Sequence, residues 1–301
     1  MVQQTHLVID NVKKSYRTKE VLKGISFDCK PGQITGLIGK NGSGKTTLFH
    51  SILHFLNYEG KITLNGKDFS NEDYNIVGYL PEERSLMPKL TVLEQVRYLA
   101  SLKGMSNNDI KVALPKWMDK LQVVGKMSDK IKSLSKGNQQ KVQMIATMIH
   151  QPQILILDEP FSGLDPVNVD LMKEIILEQA KRGATVIFSD HNMDNVERLC
   201  DKVVMINQGQ LVLNGTIQEI RDSYPKEYLY IKKAGLNKEQ VASLPGCESY
   251  LQRHDGIWSI KLVDEKYGPE IFKLLTQGEY IPTFSQEAPT LDQIFKMEAT
   301  K

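Results

Sequence analysis

Residues 33–38, 75–80, 154–157 and 185–189 are short, almost uninterrupted apolar runs, the pattern of strands buried on both faces of a sheet. Stretches with apolar positions at helical spacing lie between them. One follows Thr46. One opens at Thr91 and ends at Gly104. One covers 107–124, with an interruption expected near Pro115. Two more run from Ser135 to His150 and from Val167 to Lys181, the latter closed by Gly183. Thr91 and Glu94 make a capping box, and Leu93, Val96, Leu99 and Leu102 are expected on the inward face of that helix. Residues 7–12 and 21–29 pattern as strands, the second closed by a Pro31-Gly32 turn. Asn65-Gly66 marks a hairpin, and 203–213 reads as another. Strands alternating with helices predict an α/β domain over 1–221, with an antiparallel β subdomain and a helical subdomain at about 85–150. From 222 to 301 the order becomes β-α-β-β-α-β, which predicts a small α+β, ferredoxin-like domain without a cluster of catalytic residue types.

The densest chemistry sits just after the first apolar run. Gly39-Lys40-Asn41-Gly42-Ser43-Gly44-Lys45-Thr46-Thr47 reads Gly-x-x-x-x-Gly-Lys-Thr, between a strand and a helix as a phosphate-binding loop requires. Its glycines allow positive φ and close approach. Its amides and the helix start favour anions. Lys45 is expected to reach the β- and γ-phosphates, and the Thr46 hydroxyl to meet Mg²⁺. The other apolar runs also end in polar residues. Glu82, Glu83 and Arg84 follow the run at 75–80, Asp158 and Glu159 follow 154–157, and Asp190 and His191 follow 185–189. Residues just past strand ends in an open α/β sheet lie where ligands bind. Paired carboxylates there suit Mg²⁺ handling and a base. A solvated loop is the plain alternative for Glu82. Tyr16, in a polar stretch, is either a loop tyrosine or a ring that stacks on a base. His50 and His54, four apart on the first helix, read as packing or surface residues.

Bulk properties narrow the classes. The chain has 301 residues, 38 basic against 36 acidic, and a net charge of +2. A nucleic-acid partner would want a strongly basic face, so none is expected. No apolar run approaches the roughly 20 residues of a membrane helix. Residues 1–6 lack the regions of a signal peptide, and Cys29, Cys200 and Cys247 are few and widely spaced. Both points suggest a reducing cytosol.

In their order, these motifs closely resemble the ATPase subunit of ATP-binding cassette (ABC) transporters, over residues 5 to about 220. Gly39 to Thr46 is similar to the Walker A motif. Asp158 and Glu159 resemble Walker B with its catalytic glutamate. Leu134-Ser135-Lys136-Gly137-Asn138-Gln139 resembles the family signature, and Ser162-Gly163-Leu164-Asp165 the D-loop. His191 falls at the switch histidine and Tyr16 at the adenine-stacking position. The resemblance implies a RecA-like core and ATP with Mg²⁺. It implies a dimer of cassettes, homo- or heterodimeric, around two ATP. Ser135, Gly137 and Asn138 of one cassette would then cover the nucleotide of the other. It also implies separate transmembrane subunits that bring the chain to the cytoplasmic face of a bacterial membrane. The chain departs from the family pattern at Lys136 (usually glycine), Asn138 (usually glutamine) and Glu82 (usually a glutamine that meets Mg²⁺). The Tyr79-Leu80-Pro81-Glu82-Glu83-Arg84 run and the 288–295 tail resemble export-type cassettes. The other reading is a soluble cassette ATPase of translation, DNA repair or cluster assembly. Such proteins usually carry two cassettes or a coiled-coil insertion, and neither pattern occurs here.

Overall fold

The computed structural model describes residues 5–83, 85–278 and 280–301. Arg84 and residues 1–4 of the opening stretch lie outside them. The chain divides into two compact units, Met1–Thr216 and Ile217–Lys301. The sequence puts this boundary at 221/222. The structure puts it earlier because the helix at 217–222 belongs with the second unit.

The first unit opens with β1 (Leu7–Tyr16), β2 (Lys19–Cys29) and β3 (Ile34–Ile38), then α1 (Lys45–Ile52). Next come β4 (Glu59–Leu64), β5 (Lys67–Asp68) and β6 (Val77–Leu80), and then α2 (Val92–Leu102), α3 (Asn107–Lys120) and α4 (Lys136–Met148). The remainder alternates: β7 (Ile154–Asp158), α5 (Pro166–Lys181), β8 (Thr185–Ser189), α6 (Met193–Leu199), β9 (Lys202–Asn207) and β10 (Gln210–Gly215). The core sheet has the order β10-β9-β3-β8-β7-β6. Its strands are parallel except β10, which pairs antiparallel with β9. Every residue of β3, β7 and β8 is buried, which is why these strands read as continuous apolar runs. A second, antiparallel sheet runs β2-β1-β4-β5. One apolar core joins both sheets to α1 through Leu7, Phe27, Phe49, Ile52, Ile156 and Val204.

The register decides where the site forms. Leu37 lies opposite Ser189, Asp158 opposite Ser189, and Leu80 opposite Leu157. The chain therefore leaves β3, β6, β7 and β8 at one edge of the sheet.

Three expectations need correction. On α2 the buried residues are Val92, Gln95, Val96 and Ala100, whereas Leu93 and Leu99 are half-buried and Leu102 is exposed. A strict spacing of three falls about 60° short of a turn at each step, so Leu102 faces away from Leu93. α3 continues through Pro115. The carbonyl that loses its partner belongs to Lys111, an exposed residue that water can serve. His54 lies beyond α1, at a left-handed φ of 51°, with its ring against Tyr58 and Phe69.

The second unit holds α7 (Ile217–Asp222), β11 (Tyr228–Lys232), α8 (Lys238–Ala242), β12 (Cys247–Gln252), β13 (Trp258–Leu262), α9 (Gly268–Thr276), β14 (Thr283–Glu287) and α10 (Leu291–Thr300). Its sheet has the antiparallel order β12-β13-β11-β14. This is the ferredoxin-like arrangement, with the two βαβ halves interleaved. Leu229, Ile231, Trp258, Ile260, Ile271 and Leu275 form its core. Arg221 pairs with Glu287 at 3.4 Å and Tyr224 donates to Glu298 at 2.7 Å, which ties 217–224 into this unit.

Candidate active site

The loop after β3 is shaped by its glycines. Gly39 has φ +156°, and a Cβ there would meet the Ile206 carbonyl oxygen at 2.4 Å and Ser43 Oγ at 2.5 Å. Gly44 caps α1 in the left-handed region at φ 116°. The first amides of α1 have no acceptor within the helix, so they are available to an anion. Lys45 is 7% exposed and folds back, its Nζ donating to the Gly39 carbonyl at 2.8 Å and the Lys40 carbonyl at 3.3 Å. Burial pushes the Lys45 ammonium below its usual range, while the Glu159, Asp158 and Glu82 carboxylates act the other way. Ser43 Oγ is buried without a partner among the described residues.

Across from the loop, the ends of β7 and β8 make a relay of polar contacts. Thr46 Oγ1 donates to Asp158 Oδ2 at 3.1 Å, and Ser189 Oγ donates to Asp158 Oδ1 at 2.6 Å. The Glu159 amide donates to Ser189 Oγ at 3.0 Å. Glu159 itself holds a left-handed φ of 51°, a costly conformation for a residue with a Cβ, and its carboxylate contacts His191 Nε2. Burial raises the Glu159 carboxyl above its usual range. Glu82 and Asp158 add to the rise, against His191 and Lys45. A cleft of about 420 Å³ lies between these elements, lined by Asn41, Gly42, Gly44, Lys45, Thr46, Thr47, Glu82, Asp158 and Glu159, with Val21 at its wall.

A family model described as ABC transporter matches residues 22–162, and one described as ATP-binding protein DrrA1-3-like, C-terminal domain, matches 215–299. Over 260 residues the chain is 41% identical to an uncharacterised ABC transporter ATP-binding protein of Alkalihalophilus pseudofirmus, covering 86% of this chain and 97% of that one. The chain belongs to the ABC transporter ATP-binding proteins. The uncharacterised ABC transporter ATP-binding protein YhaQ of Bacillus subtilis is 38% identical over 290 residues, 96% of this chain and 97% of that protein. A solved ATP binding subunit of an ABC transporter superimposes with a TM-score of 0.68 at 30% identity, covering 72% of this chain and 92% of that chain.

As an ABC-type ATP hydrolase, the chain carries only part of its expected site in one cleft. Ser135, Gly137 and Asn138 are not among the cleft residues. Ser135 caps α4, accepting from the Asn138 amide at 3.3 Å and side chain at 3.0 Å. Asn138 Oδ1 accepts from the Val124 amide at 2.9 Å, so this departure from the family glutamine pins the loop before α4. Asp165 caps α5 by accepting from the Asn168 amide at 3.0 Å. Tyr16 ends β1, exposed, with Lys14 Nζ 5.2 Å from its ring centroid, and it does not line the cleft. Ser189 was not readable as a site residue. It ends an apolar strand, and only the pairing of β7 with β8 brings it to Asp158.

Proposed function

We infer that this ATPase works as one of two cassettes that close around ATP and drive export through separate transmembrane subunits. The observation that carries the two-cassette reading is the location of the signature. Ser135, Gly137 and Asn138 lie outside the chain's own cleft, which fits a second cassette supplying them to a bound nucleotide. Within each cleft, the loop amides and Lys45 hold the phosphates. Glu159 orients or deprotonates the attacking water, and His191 positions Glu159 and the γ-phosphate. Ser189 holds the Glu159 amide and Asp158 in register. Tyr16 would stack on the adenine, and Asp165 would face the partner cassette.

The Thr46 and Asp158 oxygens, with Glu82 in the same cleft, are the hard donors that Mg²⁺ takes. Among the described residues no group of three or more His, Cys, Asp or Glu is placed to hold a metal, so phosphate oxygens would complete its shell. When bound, Mg²⁺ supplies charge stabilisation to the transferring phosphoryl group.

No helix among the described residues is long and apolar enough to cross a membrane, so in the transport reading the span comes from other subunits. One feature favours such a partner. A mostly apolar groove of about 300 Å³ lies open between Tyr79, Pro81, Leu99, Leu102, Ala146 and His150. His150 Nε2 donates to the Val77 carbonyl at 3.2 Å, which leaves Nδ1 as a buried acceptor without a partner among the described residues. Burial, with Lys103 nearby, pushes the His150 pKa down to about 4, so the ring stays neutral and keeps that acceptor. An apolar segment with a donor suits this groove. The resemblance of the Tyr79 run and the 288–295 tail to export-type cassettes supports export as the direction.

Affinity purification from native membranes in mild detergent tests the reading. A polytopic membrane protein should co-purify in constant ratio. Recovery with ribosomes or other cytosolic machinery alone would remove the transport reading and leave the ATP site as it is. The second unit would act on dimer contact or regulation. Deleting 217–301 is expected to change ATP-dependent dimerisation or ATPase rate, and a deletion matching the full chain in both would show the unit to be inert in this respect.

A further inference from the structure

The N-terminal edge of the core sheet, opposite the nucleotide cleft, carries another concavity of about 300 Å³. It opens between the ends of α3 and α5 and is lined by Lys116, Trp117, Lys120, Gln151, Gln179 and Arg182, with Glu178 beside them. Its polar groups are mostly donors. Arg182 Nη1 donates to Gln179 Oε1 at 2.9 Å, and Nη2 donates to Gln151 Oε1 at 2.8 Å. A guanidinium has no acceptor, so these contacts settle which end of each amide is oxygen and leave both nitrogens as donors. Gln179 is 1% exposed, and its Nε2 has no partner among the described residues. A buried donor left unpaired is costly, and the group that would relieve it is an oxygen acceptor. Lys120 pairs with Glu178, and its Nζ stands 5.4 Å from the Trp117 ring centroid. Lys116, one turn earlier on α3, is exposed and has no hydrogen bond or ion pair among the described residues.

Cations at helix C-termini offset the helix dipole, and this alone accounts for the charges of Lys120 and Arg182. It does not account for the orphaned Gln179 donor, for Lys116, or for their meeting around one hollow. We propose that this hollow is a binding site for a small soluble oxyanion, a phosphate- or carboxylate-bearing molecule, held by Arg182, Lys116 and the Gln179 and Gln151 amides. Oxyanions suit such a set because charge-assisted hydrogen bonds are the strong ones, and a guanidinium presents a fork to them. Trp117 offers a flat apolar wall to the remainder of the ligand. The occupant would tie α3 of the helical layer to α5 of the core, across the seam that the Lys120–Glu178 pair now spans. This inference is independent of the export reading.

Calorimetric titration of the full chain tests it. The nucleotide cleft is first filled with a non-hydrolysable ATP analogue, and ionic strength is held constant with chloride. Orthophosphate and citrate are titrated separately. Saturable binding of at least one is expected, and which one binds distinguishes a phosphate from a carboxylate ligand. Lys116→Glu, at an exposed position without a partner among the described residues, should weaken that binding roughly tenfold or more. Absence of saturable heat with both probes, or equal affinity in Lys116→Glu, overturns the proposal.

Discussion

Glu159→Gln is expected to reduce ATP turnover by about 10²–10⁴-fold, the usual contribution of a positioned general base. The amide has the same shape as the carboxylate, and the Glu159 amide bond to Ser189 Oγ and the left-handed backbone do not depend on the side-chain charge. The fold and the cleft should therefore persist. The variant also removes one of three carboxylates, Glu82, Asp158 and Glu159, that line the cleft where a triphosphate must sit. ATP binding is thus kept or strengthened, and the dimer closed on ATP should accumulate. Steady-state hydrolysis, equilibrium ATP binding and size-exclusion chromatography in ATP read the three effects separately. Turnover near that of the parent would sink the role given to Glu159.

Lys45→Ala should act at the preceding step. The ammonium is buried among backbone carbonyls and faces the same three carboxylates. Its loss removes charge-assisted hydrogen bonds to phosphate and also leaves those carboxylates uncompensated against the incoming anion. Together these predict a loss of ATP affinity on the order of a hundredfold, with turnover falling in parallel. Binding of a fluorescent ATP analogue measures it directly. Affinity within about threefold of the parent would mean that the loop amides alone hold the nucleotide. Glu159→Gln and Lys45→Ala therefore separate chemistry from binding, since one should keep the nucleotide and the other release it.

Much of the fold was legible because its signals are local. Strands buried on both faces read as continuous apolar runs, and β3, β7 and β8 were found that way. The capping box of α2 is formed by a residue and its neighbour three positions on, and both of its bonds are present. Reading failed where position depends on geometry beyond a few residues. Leu102 belonged to a plausible apolar stripe, yet the pitch of the helix carries it into solvent.

By itself the sequence determined the phosphate loop, the strand–helix alternation, the order β-α-β-β-α-β in the second unit, and the family. Each of these is written in short-range spacing, in the conformational freedom of glycine or in the periodicity of burial. Only the tertiary structure decided how Thr46 meets Asp158, 112 positions away, and how Ser189 joins Asp158 to the Glu159 amide. Only it brought Gln179 and Arg182 to one hollow with Lys116. Those meetings follow from the register of parallel strands and the packing of helices on them. Such contacts link residues far apart in the chain, and no local pattern in the sequence encodes them.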